Sequence, residues 1–262
     1  MNNDLSNLIT CDLGGTKLLV RVCIDEQCID MKFETGIDFS PHNLSSILKQ
    51  VEKEYHLHNY PIAVAFPGLL DGKRCLLSNV LPKFNDFDLS NLSDNGRLLL
   101  ALNDVEAGTH GIIQQERGVE ILIMAGTGIG MGIAIDGQVF RGQNGFSGEL
   151  GSCQSYIDNS LTRLTDVASG KGLRSNRDLD LKQAGENLGM AVSWVINCFN
   201  PGRIVFAGGL FNESEYQQAC FTAAKKMTLG PSYESCRLEL EPEMHSIVVR
   251  GLVSAISVED KR

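Results

Sequence analysis

The chain predicts an α/β protein built in two halves, and three observations carry that prediction. Apolar runs of strand length alternate with stretches of helical spacing along all 262 residues. A strand, a glycine-rich turn and a second strand occur twice, at Cys11 and again at Met124. Three strands end in glycine clusters, Gly14-Gly15, Gly126-Thr127-Gly128 and Gly208-Gly209. The length allows one large domain or two of modest size.

From the start, Leu8 to Cys11 is a short strand, Leu18 to Ile24 a second and Cys28 to Phe33 a third, which together read as an antiparallel meander. Its first turn, Asp12-Leu13-Gly14-Gly15-Thr16-Lys17, fits either an ordinary hairpin or an anion cradle with an acid beside it. It is neither a Walker loop nor a Rossmann turn, because strand rather than helix follows. Asn43 to Tyr55 is a helix with Leu44, Ile47, Leu48 and Val51 on one face. Pro61 to Phe66 is a buried strand ending at Pro67-Gly68, and Ser78 to Phe84 is a loop with an apolar anchor. Leu98 to Leu102 is a strand running into Asn103-Asp104, and Val105 to Gln115 a helix. Asp104 therefore fits two uses, a helix N-cap or a carboxylate at a sheet's C-terminal edge, where α/β proteins place ligands.

In the second half, Ile121 to Ala125 and Gly132 to Ile135 flank the glycine turn, and Asp136-Gly137 is a two-residue hairpin signal before Gln138 to Phe140. Leu161 to Leu173 reads as a helix, and Lys182 to Phe199 as a stronger one stopped by Asn200-Pro201-Gly202. Arg203 to Ala207 is a strand, Tyr216 to Met227 a helix, Arg237 to Leu240 a short strand, and Ile247 to Ser257 a last helix.

Composition narrows the function classes. A net charge of −9 offers nothing to a nucleic acid backbone or an anionic membrane. No apolar stretch approaches a membrane span, and the first residues lack a signal peptide's pattern, so a cytoplasmic protein is expected. None of the eight cysteines forms Cys-x-x-Cys, and they read as reduced, mostly buried thiols.

These motifs, in this order, resemble the ROK family of bacterial sugar kinases, within the actin/hexokinase/Hsp70 superfold. Asp12 to Lys17 is similar to the family's first phosphate motif, Ala65 to Gly68 to its Pro-Gly turn and Ser78-Asn79-Val80 to its sugar-contacting segment. Asn103-Asp104 resembles its sugar-binding Asn and catalytic Asp. Gly126 to Gly130 and Gly148-Glu149-Leu150-Gly151 resemble its second phosphate motif and its Gly-Glu sugar segment. Ala168-Ser169-Gly170 and Gly208-Gly209 are similar to its later helix and adenosine motif. The match is weakest over 34–60, 152–164 and 210–245.

The resemblance implies two lobes, residues 1–103 with 247–262 and residues 104–246, each a mixed sheet flanked by helices, with the active site in the cleft between them. It implies ATP-dependent phosphorylation of a hexose or amino sugar. Asp104 would act as general base and Asp12 would orient magnesium through water. Gly14, Gly15, Thr16, Lys17, Gly126, Thr127 and Gly128 would cradle phosphates, and Gly208 and Gly209 would lie against adenosine. Asn79, Asn103, Asp104 and Glu149 would hold sugar hydroxyls. The implied partners are sugar and ATP, without nucleic acid or membrane, and the family's habit raises a homodimer.

Three departures from the family pattern stand out. Ser152 occupies the place of a family His, Thr165 that of a family Glu, and Glu106 that of a common Asn. Cys153 is alone where many members cluster zinc-binding cysteines, so no structural zinc is expected. The first two changes keep open a catalytically weakened sugar- or nucleotide-sensing protein on the same fold. A non-kinase ATPase of the superfold is a third reading, disfavoured by Asn103-Asp104 and the Gly-Glu-Leu-Gly segment.

Overall fold

A computed structural model of the chain describes residues 7–24, 27–57, 60–93, 96–157, 160–243 and 246–259. The chain divides into two compact units, residues 1–111 with 247–262 and residues 112–246. Each contains one five-stranded mixed sheet flanked by helices.

The first unit runs β1 Leu8–Leu13, β2 Lys17–Ile24, β3 Gln27–Glu34, α1 Pro41–Tyr55, β4 Ile62–Phe66, β5 Leu69–Asp71, β6 Arg74–Leu77, β7 Leu98–Asn103 and α2 Asp104–Ile112. Its sheet has the order β3-β2-β1-β4-β7. The first three strands form the antiparallel meander, and β1, β4 and β7 are parallel. The period of two along β1 sends Ile9, Cys11 and Leu13 into a core shared with Leu44, Leu48 and Val51 of α1. α1 starts where it does because Ser40 and Asn43 form a reciprocal capping box ahead of Pro41.

The second unit runs β8 Val119–Ala125, β9 Ile129–Ile135, β10 Gln138–Val139, β11 Gln154–Ile157, β12 Ser160–Arg163, α3 Leu164–Ala168, α4 Gly170–Ser175, α5 Leu181–Phe199, β13 Arg203–Ala207, α6 Ser214–Met227, α7 Gly230–Ser235 and β14 Arg237–Leu240. Its sheet has the order β10-β9-β8-β13-β14, with β8, β13 and β14 parallel. Ile121, Ile123 and Ala125 of β8 meet Leu188, Val192 and Ile196 of α5 in one core. Gly185 and Gly189 let α6 approach: an added Cβ would stand 2.3 Å from the Tyr216 and Cys220 carbonyl oxygens. The chain then returns to the first unit as α8 Ile247–Glu259, which packs on β1, β4 and β7. No helix among the described residues is long and apolar enough to cross a membrane.

Several expectations are corrected. Leu161 to Leu173 is not one helix. Tyr156 and Leu161 face each other across the β11–β12 hairpin, and Ser169, at φ −112° and ψ 170°, separates α3 from α4. The stretch Ile-Asp-Asn-Ser carries the turn signal that overrides the helical spacing. The helix after Asp104 ends at Ile112 rather than Gln115, because the Gln114 and Gln115 amides donate to the buried Glu120 carboxylate at 3.0 and 3.1 Å. The cysteines are not all reduced. Cys23 and Cys28 are opposite each other across β2 and β3 with Cα atoms 4.1 Å apart, and they form a disulfide. Six other cysteines are free thiols, four of them buried. The short β5–β6 hairpin and α7 are additional to the expected elements.

Candidate functional site

In the first unit the predicted residues gather at the C-terminal edge of the parallel strands. Asp12 of β1 is in register with Ala65 of β4, and Ala65 with Leu102 of β7, one residue before Asn103. That edge is where α/β sheets expose strand-end side chains and helix starts to ligands. The Asp12 carboxyl accepts no hydrogen bond from any described residue. Burial, then the neighbouring Asp104 charge, pushes it up from its ordinary value to about 7.

Asp104 is the first residue of α2, and it is not the N-cap. Asn103 takes that role: its Oδ1 accepts from the Val105 and Glu106 amides at 2.9 and 3.4 Å. The Asn103 Nδ2 donates to the Gly68 carbonyl at 3.0 Å, and the Ser78 hydroxyl donates to the adjacent Pro67 carbonyl at 2.7 Å. The Pro-Gly turn is thus clamped between the Asn103 side chain and the segment carrying Asn79. Asn103 has one N–H left for a ligand, so its first task is to fix Asp104. Asn79 is exposed, and its neighbour Val80 packs on the glycine turn, 3.1 Å from where a Gly15 Cβ would stand.

The turn itself closes through Gly14 N donating to Lys17 O at 2.8 Å. Its Gly14 and Thr16 carbonyls are tied back by Thr35. The Thr35 hydroxyl donates to Gly14 O at 2.7 Å and its amide to Thr16 O at 3.1 Å. The Gly15 and Thr16 amides have no acceptor among the described residues. Thr16 and Lys17 are exposed.

The second unit repeats this construction. Gly126 N donates to Gly128 O at 3.0 Å, Gly170 N to Gly126 O at 2.8 Å and Lys171 N to Thr127 O at 3.0 Å. The buried Ser169 hydroxyl lies 2.9 Å from the Thr127 carbonyl and 2.7 Å from the Thr165 carbonyl. The Thr127 and Gly128 amides have no acceptor among the described residues. Two glycine turns, one per sheet, therefore have carbonyls engaged at their flanks, Gly14 and Thr16 in the first and Gly126, Thr127 and Gly128 in the second, and corner amides without an acceptor among the described residues, the polarity an anion requires.

Gly208 follows β13 directly beside the end of β8. An added Cβ there would stand 2.3 Å from the Ala125 carbonyl oxygen, and φ is +102°. Gly126, Gly128 and Gly209 have open space where a Cβ would be. Glu149 is exposed on the segment after Gly148, whose Cβ would stand 1.9 Å from the Met131 carbonyl oxygen. The Ser152 hydroxyl lies 3.4 Å from Glu149 Oε2. A Cβ on Gly151 would meet Thr165 Oγ1 at 2.5 Å, so Ser152 and Thr165, two of the positions that depart from the family pattern, flank one segment.

Thr35 and the clamping role of Asn103 were not visible in the sequence. Thr35 stands one residue past β3 in a stretch without a motif, and only the β2–β3 register brings it to the glycine turn. Among the described residues no group of three or more His, Cys, Asp or Glu stands together to hold a metal.

Comparison with known proteins gives the family and the fold. The model of the ROK family matches residues 8–162. An N-acetyl-D-glucosamine kinase of Histophilus somni is 26 % identical over 156 residues, covering 55 % of this chain and 50 % of that protein. A xylose repressor of Bacillus subtilis is 22 % identical over 243 residues, covering 79 % of this chain and 62 % of that protein. The chain thus spans about half to three-fifths of these relatives' length. A crystal structure of a ROK family glucokinase from Streptomyces griseus, in complex with glucose and AMPPNP, superposes with a TM-score of 0.77. It is 18 % identical, and the match covers 98 % of this chain and all of that one, a likeness of fold.

Proposed function

We propose that this chain, which belongs to the ROK family, transfers the γ-phosphoryl group of ATP to a hydroxyl of a hexose or amino sugar. The observation that carries the reading is the pairing of Asp12 and Asp104 at one sheet edge, beside a turn whose amides are free. A buried carboxyl whose proton affinity is raised by burial and by a neighbouring carboxylate calls for a cation.

The residues fit the groups the reaction uses. Asp12 accepts no hydrogen bond among the described residues, and its proximity to Asp104 favours a divalent cation held mainly through water. The open space at Gly126, Gly128 and Gly209, which side chains would fill, suits a nucleotide against backbone. Magnesium, when bound, neutralises phosphate charge and aligns the group in transfer.

The chain's own residues do the remainder. A carboxylate oxygen of Asp104 takes the proton of the attacking hydroxyl as the new O–P bond forms and the β–γ bridge breaks, leaving ADP. Asn103 holds Asp104 at the helix start for that role. The amides of Gly15, Thr16, Thr127 and Gly128 stabilise charge on phosphate oxygens, with Gly14 and Lys17 beside them. Gly208 and Gly209 give adenosine a flat approach. Asn79, the remaining Asn103 N–H and Glu149 hold sugar hydroxyls.

A second reading, a sugar-binding regulator without turnover, is favoured by Ser152 and Thr165. Each replaces a longer hydrogen-bonding side chain of the family, and one such loss changes discrimination by roughly 10⁴-fold. ADP release with ATP and magnesium across hexoses and N-acetylhexosamines separates the readings. Sugar-dependent turnover that Asp104→Asn abolishes supports the kinase. Sugar binding without turnover supports the regulator, and ADP release without sugar refutes both.

A further inference from the structure

We propose that Thr35 is a positioning residue of the nucleotide site, holding the Gly14-Gly15-Thr16 turn so that its amides stay directed at phosphate. The inference rests on the kinase reading and adds to it a residue outside every motif that supports that reading.

The turn presents a choice that its sequence leaves open. Gly14, Gly15 and Thr16 each carry an amide and a carbonyl, and a glycine-rich turn reverses a peptide plane at little steric expense. A reversed peptide would present a carbonyl oxygen to a phosphate, which repels it. Something must engage the carbonyls, and in this fold it is Thr35. Its hydroxyl donates to Gly14 O at 2.7 Å and its amide to Thr16 O at 3.1 Å. One residue thus fixes the Gly14–Gly15 and Thr16–Lys17 peptide planes, and the Gly15 amide, which shares the first of them, is left without an acceptor among the described residues, as is the Thr16 amide next to it. Val80, packed where a Gly15 side chain would be, closes off the opposite side.

The second unit solves the same problem by the same chemistry with an unrelated residue. There the Ser169 hydroxyl and the Gly170 and Lys171 amides engage the carbonyls of Gly126 and Thr127. Thr35 and Ser169 lie at different distances and on different elements from their turns, so the shared feature is the requirement to occupy carbonyls, which both turns face.

Thr35 is half-buried and its hydrogen bonds go to the turn's carbonyls, so its removal tests the turn. Thr35→Val keeps the side chain's shape and deletes the donor to Gly14 O, while Thr35→Ser keeps the donor and deletes a methyl group. Magnesium–ATP affinity is measured by calorimetry in the absence of sugar, beside KM for ATP, KM for sugar and kcat. Loss of one hydrogen bond predicts affinity for ATP weakened about three- to tenfold in Thr35→Val, with KM for ATP raised alike. KM for sugar stays near wild type, and Thr35→Ser restores ATP affinity. Wild-type affinity in Thr35→Val overturns the inference. So does an equal rise in both KM values that Thr35→Ser fails to rescue, because that describes a general loss of structure. If the wild-type chain itself binds no ATP, the kinase reading falls and the inference with it, a result distinguishable from the first two by the wild-type titration.

Discussion

Replacing Asp12 by Asn should stabilise the chain, and the gain should depend on pH. The Asp12 carboxyl titrates near 7 in the fold against an ordinary value of 3.8, a difference of about three units. Between those values the unfolded chain has released a proton that the folded chain still holds. Stability therefore falls as pH rises through this window, and the deficit is complete above pH 7. Each unit is worth about 1.4 kcal/mol, so the ionised carboxylate destabilises the fold by at most about 4 kcal/mol at pH 8 and about 1 kcal/mol at pH 4.5. Asn carries no charge at either pH. At roughly 2–4 °C per kcal/mol, the variant's Tm should rise by up to about 16 °C at pH 8 and by about 2–4 °C at pH 4.5. The assay is thermal unfolding followed by circular dichroism, without nucleotide and with a chelator present. Asp104→Asn should reproduce part of the gain at pH 8, since its charge is the second cause of the shift after burial. A gain of equal size at both pH values, or a loss at pH 8, would refute the reasoning, because neither can come from a charge.

Three further outcomes follow from the geometry. Gly209→Ala, placed in open space, should fold as the wild type and weaken ATP affinity, whereas Gly208→Ala, facing the Ala125 carbonyl at 2.3 Å with φ +102°, should lower Tm by several degrees; calorimetry and thermal unfolding of the pair check this. Arg203→Met leaves the buried Glu120 without the guanidinium 2.8 Å away and should cost about 3–5 kcal/mol in urea unfolding, part of which Glu120→Gln in the same chain recovers. Cys28→Ser should lower stability by about 2 kcal/mol under oxidising conditions, the value for so short a loop, and a reductant should bring the wild type to the same Tm without moving the variant.

The parts of the fold that were legible are those where local signals agree with tertiary need. Both strand–glycine turn–strand units could be read because apolar runs bound each turn and nothing competes with them. Asp104 could be placed at a strand-to-helix junction from the same kind of boundary. Leu161 to Leu173 failed because Leu161, Leu164 and Ala168 satisfy helical spacing while Leu161 is in fact half of a cross-strand pair with Tyr156. Periodicity cannot separate these when a strand only four residues long adjoins a helix. The Cys23–Cys28 bridge failed for a related reason. Four intervening residues say nothing until the hairpin register sets those two positions opposite each other.

Thr35 shows where the limit lies. A glycine turn announces itself, because φ, ψ and close approach restrict the residues that can form it. The group that holds the turn faces no such restriction. Any donor at the right place would engage the Gly14 carbonyl, and the place is reached through β3, by its register against β2. The same holds for Asn103. Its position before Asp104 suggested a ligand contact, yet three of its hydrogen-bonding positions are used to cap α2 and to hold Gly68. Residues that meet substrate are constrained by chemistry and can be read along the chain. Residues that aim them are constrained by register, and register exists only once the sheet has formed.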